Sequence, residues 1–438
     1  MINTQKIKMR RRLQVKLSQY VEKLSKELTK PKKKFLKEMV GGILATQKPI
    51  VRQIGQHLDE SIPLKKTTKR LRYNLSSRDL NRQLSNTNAR SICHSFNKDT
   101  LVIVDPSDIA KKYAEAMEGL SRVRDGSENK IVNGYDTLNI LSVNRHNNAN
   151  YSHNLLFSDL YSYTKELDSL KNKLFDRILS IIIYGNNKGI FTFDSGYDDK
   201  KVFKFLSEHD APFIIRSNGK RGLYINGKPK KFKDVIKDMK LKYKFKLKRK
   251  KNTGKETIES VSCGITDVQI PVNPHKLKHP TLISVKLFVG RYDNDGGYWY
   301  ILFSLPQHTE LSEVKLTEFV LRSYKVRWKI EEVHRHIKTK YHWEDIQLNK
   351  YNRLKLLNTI FWIAIGFIYR LKTLKYAFIK SFKNIMLAEC KSIHKIPSFI
   401  YYRISKIVRL CFQMLGYYKN NYHKKPKEHK DQIMLPNF

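Results

Sequence analysis

The chain has 438 residues, and its 85 Lys and Arg against 40 Asp and Glu give a formal net charge of +45. This length exceeds one ordinary domain, and 40% hydrophobic with 11% aromatic residues indicates a buried core and excludes a disordered chain. The positive charge predicts a polyanionic partner. Because it runs through the whole chain, it favours an extended phosphate backbone, although a membrane surface would also attract it.

The cysteines and the apolar segments bear on the cellular compartment and on whether the chain crosses a membrane. The four cysteines include no pair at a metal-ligand or redox spacing, which favours reduced thiols in a cytosolic protein. The basic N-terminus is not followed by the apolar segment of a secretory signal. The longest apolar run, residues 356–371, is shorter than the roughly 20 residues that span a bilayer, and we interpret it as a buried helix.

Residues 1–95 are predicted to be helical, because apolar residues recur there at helical spacing with basic residues around the other faces. A short segment, residues 49–58, precedes a turn and a second short helix. The basic residues of that second helix are Lys65, Lys66, Lys69, Arg70 and Arg72. Two short helices with a basic second member resemble a helix-turn-helix DNA reader, and a plain basic helical hairpin fits the pattern equally well.

From residue 101 the pattern changes to apolar strands. The predicted elements, in chain order, are the strands LVIVD, NGYDTLNILSVN and NYSHNLLFSDL, a helix over 164–184, the strand GIFTFD, a helix over 198–208 and the strand PFIIRS. Three strands followed by helix, strand, helix and strand is the element order of a ribonuclease-H-like α/β core, a mixed sheet with helices on its faces.

Residues 217–300 interrupt this order and are predicted to form a β-rich insertion. Within it, residues 241–248 alternate strictly between apolar residues and lysines, so one face is apolar and the other carries Lys242, Lys244, Lys246 and Lys248. We therefore expect a packed strand with a row of lysines. After residue 311 the pattern is helical again, and the basic segment KKPKEHKDQ is expected to be mobile.

Two aspartates follow apolar strands of the predicted core. Asp105 ends LVIVD and Asp194 ends GIFTFD, at strand ends where a parallel or mixed sheet opens into a crevice that suits metal-binding carboxylates. Each could instead be an ordinary turn former or helix cap. Asp108, in the same DPSD segment as Asp105, is an alternative first acid.

A third carboxylate, Glu331, lies in the stretch SYKVRWKIEEVHRHIK. Together with Tyr324, Arg327 and Lys338 it gives the spacing Y-x2-R-x3-E-x6-K, and on one helix these four side chains fall within about 60° of one another. In such a stripe the Glu can bind a metal ion, and the neighbouring Tyr, Arg and Lys can bind the phosphates next to the phosphodiester bond that is cleaved. The alternative is an exposed face on which Glu331 pairs with Arg327 and Arg335, and the spacing alone does not decide.

This spacing and the two aspartates resemble the insertion-sequence-four family of DDE transposases, whose signature has the form Y-x2-R-x3-E-x6-K. Trp328 and Glu332 also fit its YxxRWxIE form, and the resemblance covers residues 101–371. It implies a two-metal phosphoryl transfer with two Mg²⁺ ions, for which Mn²⁺ can substitute. The catalytic and metal-binding residues that it implies are Asp105, Asp194 and Glu331.

The resemblance further implies a cut-and-paste transposase in the bacterial cytoplasm, associated with the nucleoid and not with a membrane. Its partners would be double-stranded DNA, both inverted-repeat ends and target DNA, and a second copy of the chain in a synaptic homodimer. The implied DNA contacts of the core are Tyr324, Arg327, Lys338 and Trp299, in addition to the basic residues of the second short helix.

Trp299 lies where the family has a Trp that receives a flipped base. Because Tyr298 and Tyr300 point to the other face of the same strand, the pattern predicts that the Trp299 ring projects alone from its side. A strand Trp packed in the core fits the sequence equally well.

The expected organisation has five segments: a helical DNA-end-binding domain (1–95), the first part of the core (96–216), the β-rich insertion (217–300), the second part of the core with the catalytic Glu helix (301–375) and a helical basic C-terminal region (376–438). Two other functions stay open. One is a nuclease or degenerate transposase relative that binds DNA without joining strands, and the other is a basic architectural protein without catalysis.

Overall fold

The computed structural model describes residues 2–126, 128–147, 150–250, 256–273, 281–294, 297–372 and 400–413. The N-terminal part is helical, as predicted. Its helices are α1 (Ile2–Leu24), α2 (Lys30–Thr46), α3 (Val51–Leu58), α4 (Leu64–Asn74) and α5 (Arg78–Cys93). Helices α3 and α4 are the two short helices expected on either side of the turn.

Strands and helices then alternate. They are β1 (Leu101–Ala110), β2 (Ser121–Asp125), β3 (Lys130–Asn147), β4 (Asn150–Tyr161), α6 (Leu170–Tyr184), β5 (Ile190–Phe193), α7 (Lys200–Glu208) and β6 (Phe213–Ser217). The predicted elements are present in the predicted order, and the sequence pattern does not predict β2. Helix α6 begins later than expected because the Ser169 side chain caps it, accepting a hydrogen bond from the Asn172 N–H at 3.1 Å.

Residues 222–304 are rich in strands, as predicted. The elements are β7 (Gly222–Ile225), β8 (Lys228–Lys231), α8 (Phe232–Asp238), β9 (Tyr243–Lys250), β10 (Glu256–Pro271), β11 (Leu282–Tyr292) and β12 (Tyr298–Ser304). These strands do not form a separate sheet. Strand β12 pairs antiparallel with β6, with Tyr300 opposite Ser217, so the β-rich segment extends the sheet that contains β1 and β5.

The described part of the chain ends in helices α9 (Glu313–Val326), α10 (Lys329–Tyr341), α11 (Tyr351–Leu371) and α12 (Tyr401–Gln413). The expectation of one helix through the whole Y-x2-R-x3-E-x6-K stretch is wrong, because a turn at Arg327 and Trp328 separates α9 from α10. The segment KKPKEHKDQ and Cys390 lie outside the described residues. The described cysteines, Cys93, Cys263 and Cys411, are free and buried.

The described strands form one mixed sheet of 12 strands. Its order is β4–β3–β1–β5–β6–β12–β11–β10–β7–β8, with β2 beside β3 and β9 beside β10. Strands β1, β5 and β6 are parallel to one another, and the remaining ladders are antiparallel. The predicted α/β class with a mixed sheet is therefore confirmed.

Helices cover both faces of this sheet. Along β1, Leu101 and Ile103 face one apolar core, whereas Val102 and Val104 face the other, as expected for a strand that is buried on both sides. The first core also includes buried residues of α1–α4 and α9–α12, and the second includes those of α6 and α7. The N-terminal helices thus share one core with α11 and α12.

Helix α11 is the apolar run noted in the sequence. It is long and apolar enough to cross a membrane by length and composition, but 89% of its apolar window is buried inside the protein, as expected of a core helix. Asn358 in its middle is fully hydrogen-bonded. Its Nδ2 donates to the Ser158 carbonyl at 3.0 Å, and its Oδ1 accepts from Trp343 Nε1 at 2.9 Å. This polar residue therefore joins α11 to β4 and to the segment after α10.

We predict that Asn358→Ala lowers the free energy of unfolding by about 3 kcal/mol, because it leaves the buried Trp343 N–H and Ser158 carbonyl without their partner. Denaturant midpoints followed by circular dichroism measure the effect. Asn352→Ala, in the exposed first turn of the same helix, is the control and should change stability by less than about 1 kcal/mol. Equal shifts for the two variants would contradict a structural role for the Asn358 hydrogen bonds.

Candidate active site

Asp105 and Asp194 meet where β1 and β5 run side by side. The parallel ladder pairs Ile103 with Thr192, so each aspartate lies two residues further along the chain than its member of that pair. Strand β5 ends at Phe193, whereas β1 continues to Ala110 because β3 pairs with it along its whole length. The sheet therefore opens beside Asp105, which lies within β1 and not at its end as the sequence suggested.

The loop after Asp194 is held against the end of β6. Asp194 Oδ1 accepts a hydrogen bond from the Ser195 N–H at 2.7 Å. The side chain of Asp198 is 2% exposed and accepts from Arg221 Nε and from Ser217 Oγ, each at 2.8 Å. The Ser195 N–H thus orients the Asp194 carboxylate, and the Asp198 contacts hold the loop that follows it.

Arg327 joins the three predicted acids. Its guanidinium is 6% exposed and lies 3.4 Å from Asp105 Oδ1, 3.8 Å from Asp194 Oδ2 and 3.4 Å from Glu331 Oε1. The hydroxyl of Tyr324 donates to Asp194 Oδ1 at 3.3 Å. Although the helix breaks at Arg327, residues on both sides of the break face the same carboxylates. The pairing of Glu331 with Arg327 exists, but it lies within this cluster.

Lys338 belongs to a neighbouring cluster. Its Nζ lies 3.1 Å from Asp108 Oδ2 and 3.1 Å from Glu344 Oε1. The structure thus brings Tyr324, Arg327 and the three acids together and places Lys338 beside Asp108, the alternative first acid. Asp108 pairs with Lys338 and does not belong to the group of carboxylates around Arg327.

His334 and Asn139 adjoin Asp105, and the sequence reasoning missed both. His334 Nδ1 lies 3.7 Å from Asp105 Oδ2, and Asn139 Nδ2 donates to His334 Nε2 at 3.1 Å. Burial, aided by Lys338 and Arg327, lowers the pKa of His334 to about 3, so the ring is neutral and Nδ1 carries its hydrogen toward Asp105. The sequence feature that could have indicated this residue is the position of His334 about one helical turn after Glu331.

The carboxylates carry more negative charge than Arg327 offsets. Burial raises the pKa of Asp105 to about 7; Arg327 opposes this rise, while Glu331 and Asp194 add to it. Tyr197, another residue not singled out in the sequence, has its pKa raised by burial and then by the two aspartates. The buried acid of the site is therefore the one that a further cation would stabilise most.

Trp299 lies at the same end of the sheet as the acids, since its neighbour Tyr300 pairs with Ser217 at the end of β6. The expectation that its ring projects alone is wrong. The ring packs edge to face on Tyr292 with centroids 4.9 Å apart and contacts the first core. Trp328, at the turn between α9 and α10, is the more exposed indole at 56%.

The basic residues of α4 fall into two groups. Arg70 is partly buried and pairs with two acids, with Nη1 2.6 Å from Glu38 Oε2 and Nη2 2.9 Å from Glu60 Oε1. Its charge is therefore matched by two acids. The exposed basic residues of this helix are Lys65, Lys66, Lys69 and Arg72.

A family comparison bears on this site. The family model described as transposase DDE domain matches residues 99–365, which is more than half of the chain. The chain belongs to the DDE transposase family. Its matched range begins just before β1, ends within α11 and contains all three acids around Arg327. A search of curated proteins finds no match to the chain.

The donor set of this DDE domain suits a divalent cation such as Mg²⁺, because three carboxylates supply hard oxygen ligands. In the described ranges, no group of three or more His, Cys, Asp or Glu side chains is already arranged as a metal site. The Arg327 guanidinium lies between the acids instead. Because Asp105 is buried beside two like charges, the cluster fits a cation by its chemistry.

We predict that Asp105→Asn stabilises the protein at pH 8 in EDTA, by about 2 to 4 kcal/mol at about 1.4 kcal/mol per pKa unit. The folded-state pKa of Asp105 is raised to about 7 from an ordinary 3.8, so the folded state loses stability as the pH rises from about 4 to 7 and the carboxyl ionises. The variant has no such loss. Denaturant midpoints measured from pH 4 to pH 8 test this.

Asp108→Asn is the matched control, because it removes a carboxylate that is paired with Lys338. It should lower the midpoint at pH 8, opposite in sign to Asp105→Asn. A difference between wild type and Asp105→Asn that does not vary with pH would show that ionisation of Asp105 does not destabilise the fold.

Proposed function

We propose that this chain is the transposase of an insertion sequence, and that it cleaves double-stranded DNA at the inverted-repeat ends of the element and joins the ends to target DNA by cut and paste. The observation that carries this proposal is the convergence of Asp105, Asp194 and Glu331 around Arg327 in a DDE domain. The Y-x2-R-x3-E-x6-K spacing supports assignment to the insertion-sequence-four family.

In this proposal Asp105, Asp194 and Glu331 hold two Mg²⁺ ions, or Mn²⁺ in their place. When bound, these ions would supply activation of the attacking water or 3′-hydroxyl and stabilisation of the leaving oxygen. The protein's own part is positioning. His334 directs a hydrogen toward Asp105, Tyr324 orients Asp194, and the planar guanidinium of Arg327 is suited to two phosphate oxygens.

The proposed DNA contacts lie outside this cluster. The exposed basic residues of α4 would bind the element ends, and α1–α5 would form the end-binding region. Because these helices share a core with α11 and α12, the region would hold the DNA at a fixed distance from the acids. Two ends must be cut and joined together, which favours a homodimer in the synaptic complex.

We predict that Asp105→Asn, Asp194→Asn and Glu331→Gln each lower Mg²⁺-dependent cleavage by at least about 10³-fold, because each removes one charged ligand worth several kcal/mol in the transition state. DNA affinity should change little, since Lys and Arg contacts to phosphates dominate it. The substrate is a duplex that carries the terminal inverted repeat found beside the gene, and cleavage is measured on end-labelled DNA.

Asp108→Asn is the control and should keep measurable cleavage. An inactive Asp108→Asn beside an active Asp105→Asn would reassign the first acid. Joining of a pre-cut 3′ end by the wild type separates a transposase from a nuclease, and binding without any Mg²⁺-dependent nicking would support an architectural protein.

Trp299 is proposed to receive a base displaced near the cut, a stacking contact worth about 1 to 3 kcal/mol. We predict that Trp299→Ala nicks the first strand at a near-normal rate and stalls before the second strand breaks. Trp299→Phe, which keeps a ring against Tyr292, should retain most of the second step. A strand-resolved time course measures both steps, and equal slowing of the two would show that the ring serves only the core.

A further inference from the structure

The hairpin formed by β9 and β10 extends beyond the end of the sheet on the side of the acids. That end is marked by Phe193, where β5 stops, and by Ser217, where β6 stops opposite the beginning of β12. The β10–β11 ladder stops there at Val261 and Tyr292. The β9–β10 ladder continues past this point, to Lys250 opposite Glu256, so the hairpin projects from the catalytic end of the molecule.

The exposed face of β9 carries the row of lysines that the sequence predicted. Tyr243, Phe245 and Leu247 point inward and are at least half-buried, and the lysines between them are exposed. Alternate residues of a strand are about 6.8 Å apart, so four lysines span roughly 20 Å, the axial rise of about six nucleotides of one DNA strand. The exposed lysines are Lys242, Lys244, Lys246 and Lys248.

Among the described residues, the acids that reach this row leave its charge largely unmatched. Lys242 lies 4.0 Å from Glu313, and Lys244 lies 3.8 Å from Asp293 while its side chain remains 73% exposed. Exposed ion pairs of this kind contribute little and exchange readily with other anions. The row can therefore bind phosphates without breaking a buried contact.

A hydrogen bond joins the hairpin to helix α9, which also carries Tyr324 of the catalytic cluster. Lys325 Nζ donates to the carbonyl of Lys248 at 2.8 Å, and Lys325 is the neighbour of Tyr324, whose hydroxyl bonds to Asp194. The carboxyl end of the lysine row is thus tied to the helix that carries the site.

The sheet order places this row on the opposite side of the acids from α4. Helix α4 packs with α2 and α3, and α2 packs with α11, which lies on β4 at one side of the sheet. Strand β9 lies toward the other side, beyond β5, β6, β12, β11 and β10. If α4 holds the element end, the DNA on the other side of the cut is the flanking DNA.

We propose that Lys244, Lys246 and Lys248 bind the phosphate backbone of the flanking DNA, beyond the cleaved phosphate as seen from the element. This rests on the proposed transposase function. The competing explanation is that lysines on an edge strand merely prevent edge-to-edge association of sheets. Strand β8, at the far end of the strand order, and the adjoining first turn of α8 supply the control, because Lys228, Lys231 and Lys233 are also exposed lysines at an edge of the sheet.

The test compares wild type with two triple variants of equal charge change, Lys244→Gln/Lys246→Gln/Lys248→Gln and Lys228→Gln/Lys231→Gln/Lys233→Gln. Affinity is measured in EDTA over a range of salt concentrations for two duplexes with the terminal repeat. One duplex continues into flanking DNA long enough to span the row, and the other stops at the cleavage point. Thermal unfolding confirms that both variants keep the wild-type fold.

On the flanked duplex, the β9 variant should lose about 2.7 from the slope of log affinity against log salt, at about 0.9 for each phosphate contact. On the duplex without a flank it should match the β8-side variant. Equal loss on both duplexes would place the lysines on element DNA and overturn the proposal. A β9 variant that matches the β8-side variant on both duplexes would also overturn it and support the edge explanation.

A separate measurement tests the proposed function: Mg²⁺-dependent cleavage and joining of the flanked duplex by the wild type. If the wild type cuts and joins but the β9 variant binds like its control, the lysine assignment fails and the function stands. If the wild type does neither, the function fails, while the salt slopes still decide whether β9 binds DNA beyond the repeat.

Discussion

The site depends on the repulsion among three carboxylates that the fold forces together. Asp105 and Asp194 must lie side by side because β1 and β5 are parallel, and α10 adds Glu331 to the pair. One guanidinium, that of Arg327, offsets only part of this charge. Burial, to which Glu331 and Asp194 add, raises the pKa of Asp105 to about 7. Buried like charges lower the stability of the folded chain, so the arrangement is explained by what it binds and not by what it contributes to folding.

The surroundings of Asp105 keep that charge in place. A protonated histidine beside Asp105 would neutralise it, but burial lowers the pKa of His334 to about 3 and leaves the ring neutral. Asn139 holds the far nitrogen of the ring. The turn that separates α9 from α10 places Arg327 among the acids while its neighbour Trp328 remains exposed. The cluster therefore contains one fixed cation, the Arg327 guanidinium, and has enough negative charge to bind further cations.

Much of this could be predicted from the sequence because the signals are local. The apolar run at residues 101–104 and the short apolar strand before Asp194 predict both strands and the two aspartates that follow them, although β1 continues past Asp105. Contacts between distant segments could not be predicted. Lys338 fits the stripe of an ideal helix, yet the helix breaks and Lys338 pairs with Asp108. Arg70 and Trp299 likewise have partners, such as Glu38 and Tyr292, that no spacing along the chain indicates.

Two opposite charge imbalances lie next to each other in this protein. The acids around Arg327 carry excess negative charge, and Asp105 among them is largely buried, whereas the chain as a whole carries +45 and its strand β9 has an exposed face of lysines. Cations alone would offset the excess negative charge around Arg327 but would add to the positive charge of the whole chain. DNA alone would offset the positive charge of the chain. It would also bring phosphates toward the acids around Arg327 and so increase the repulsion among negative charges at that site. Only DNA and divalent cations together offset both, so each should bind more tightly in the presence of the other.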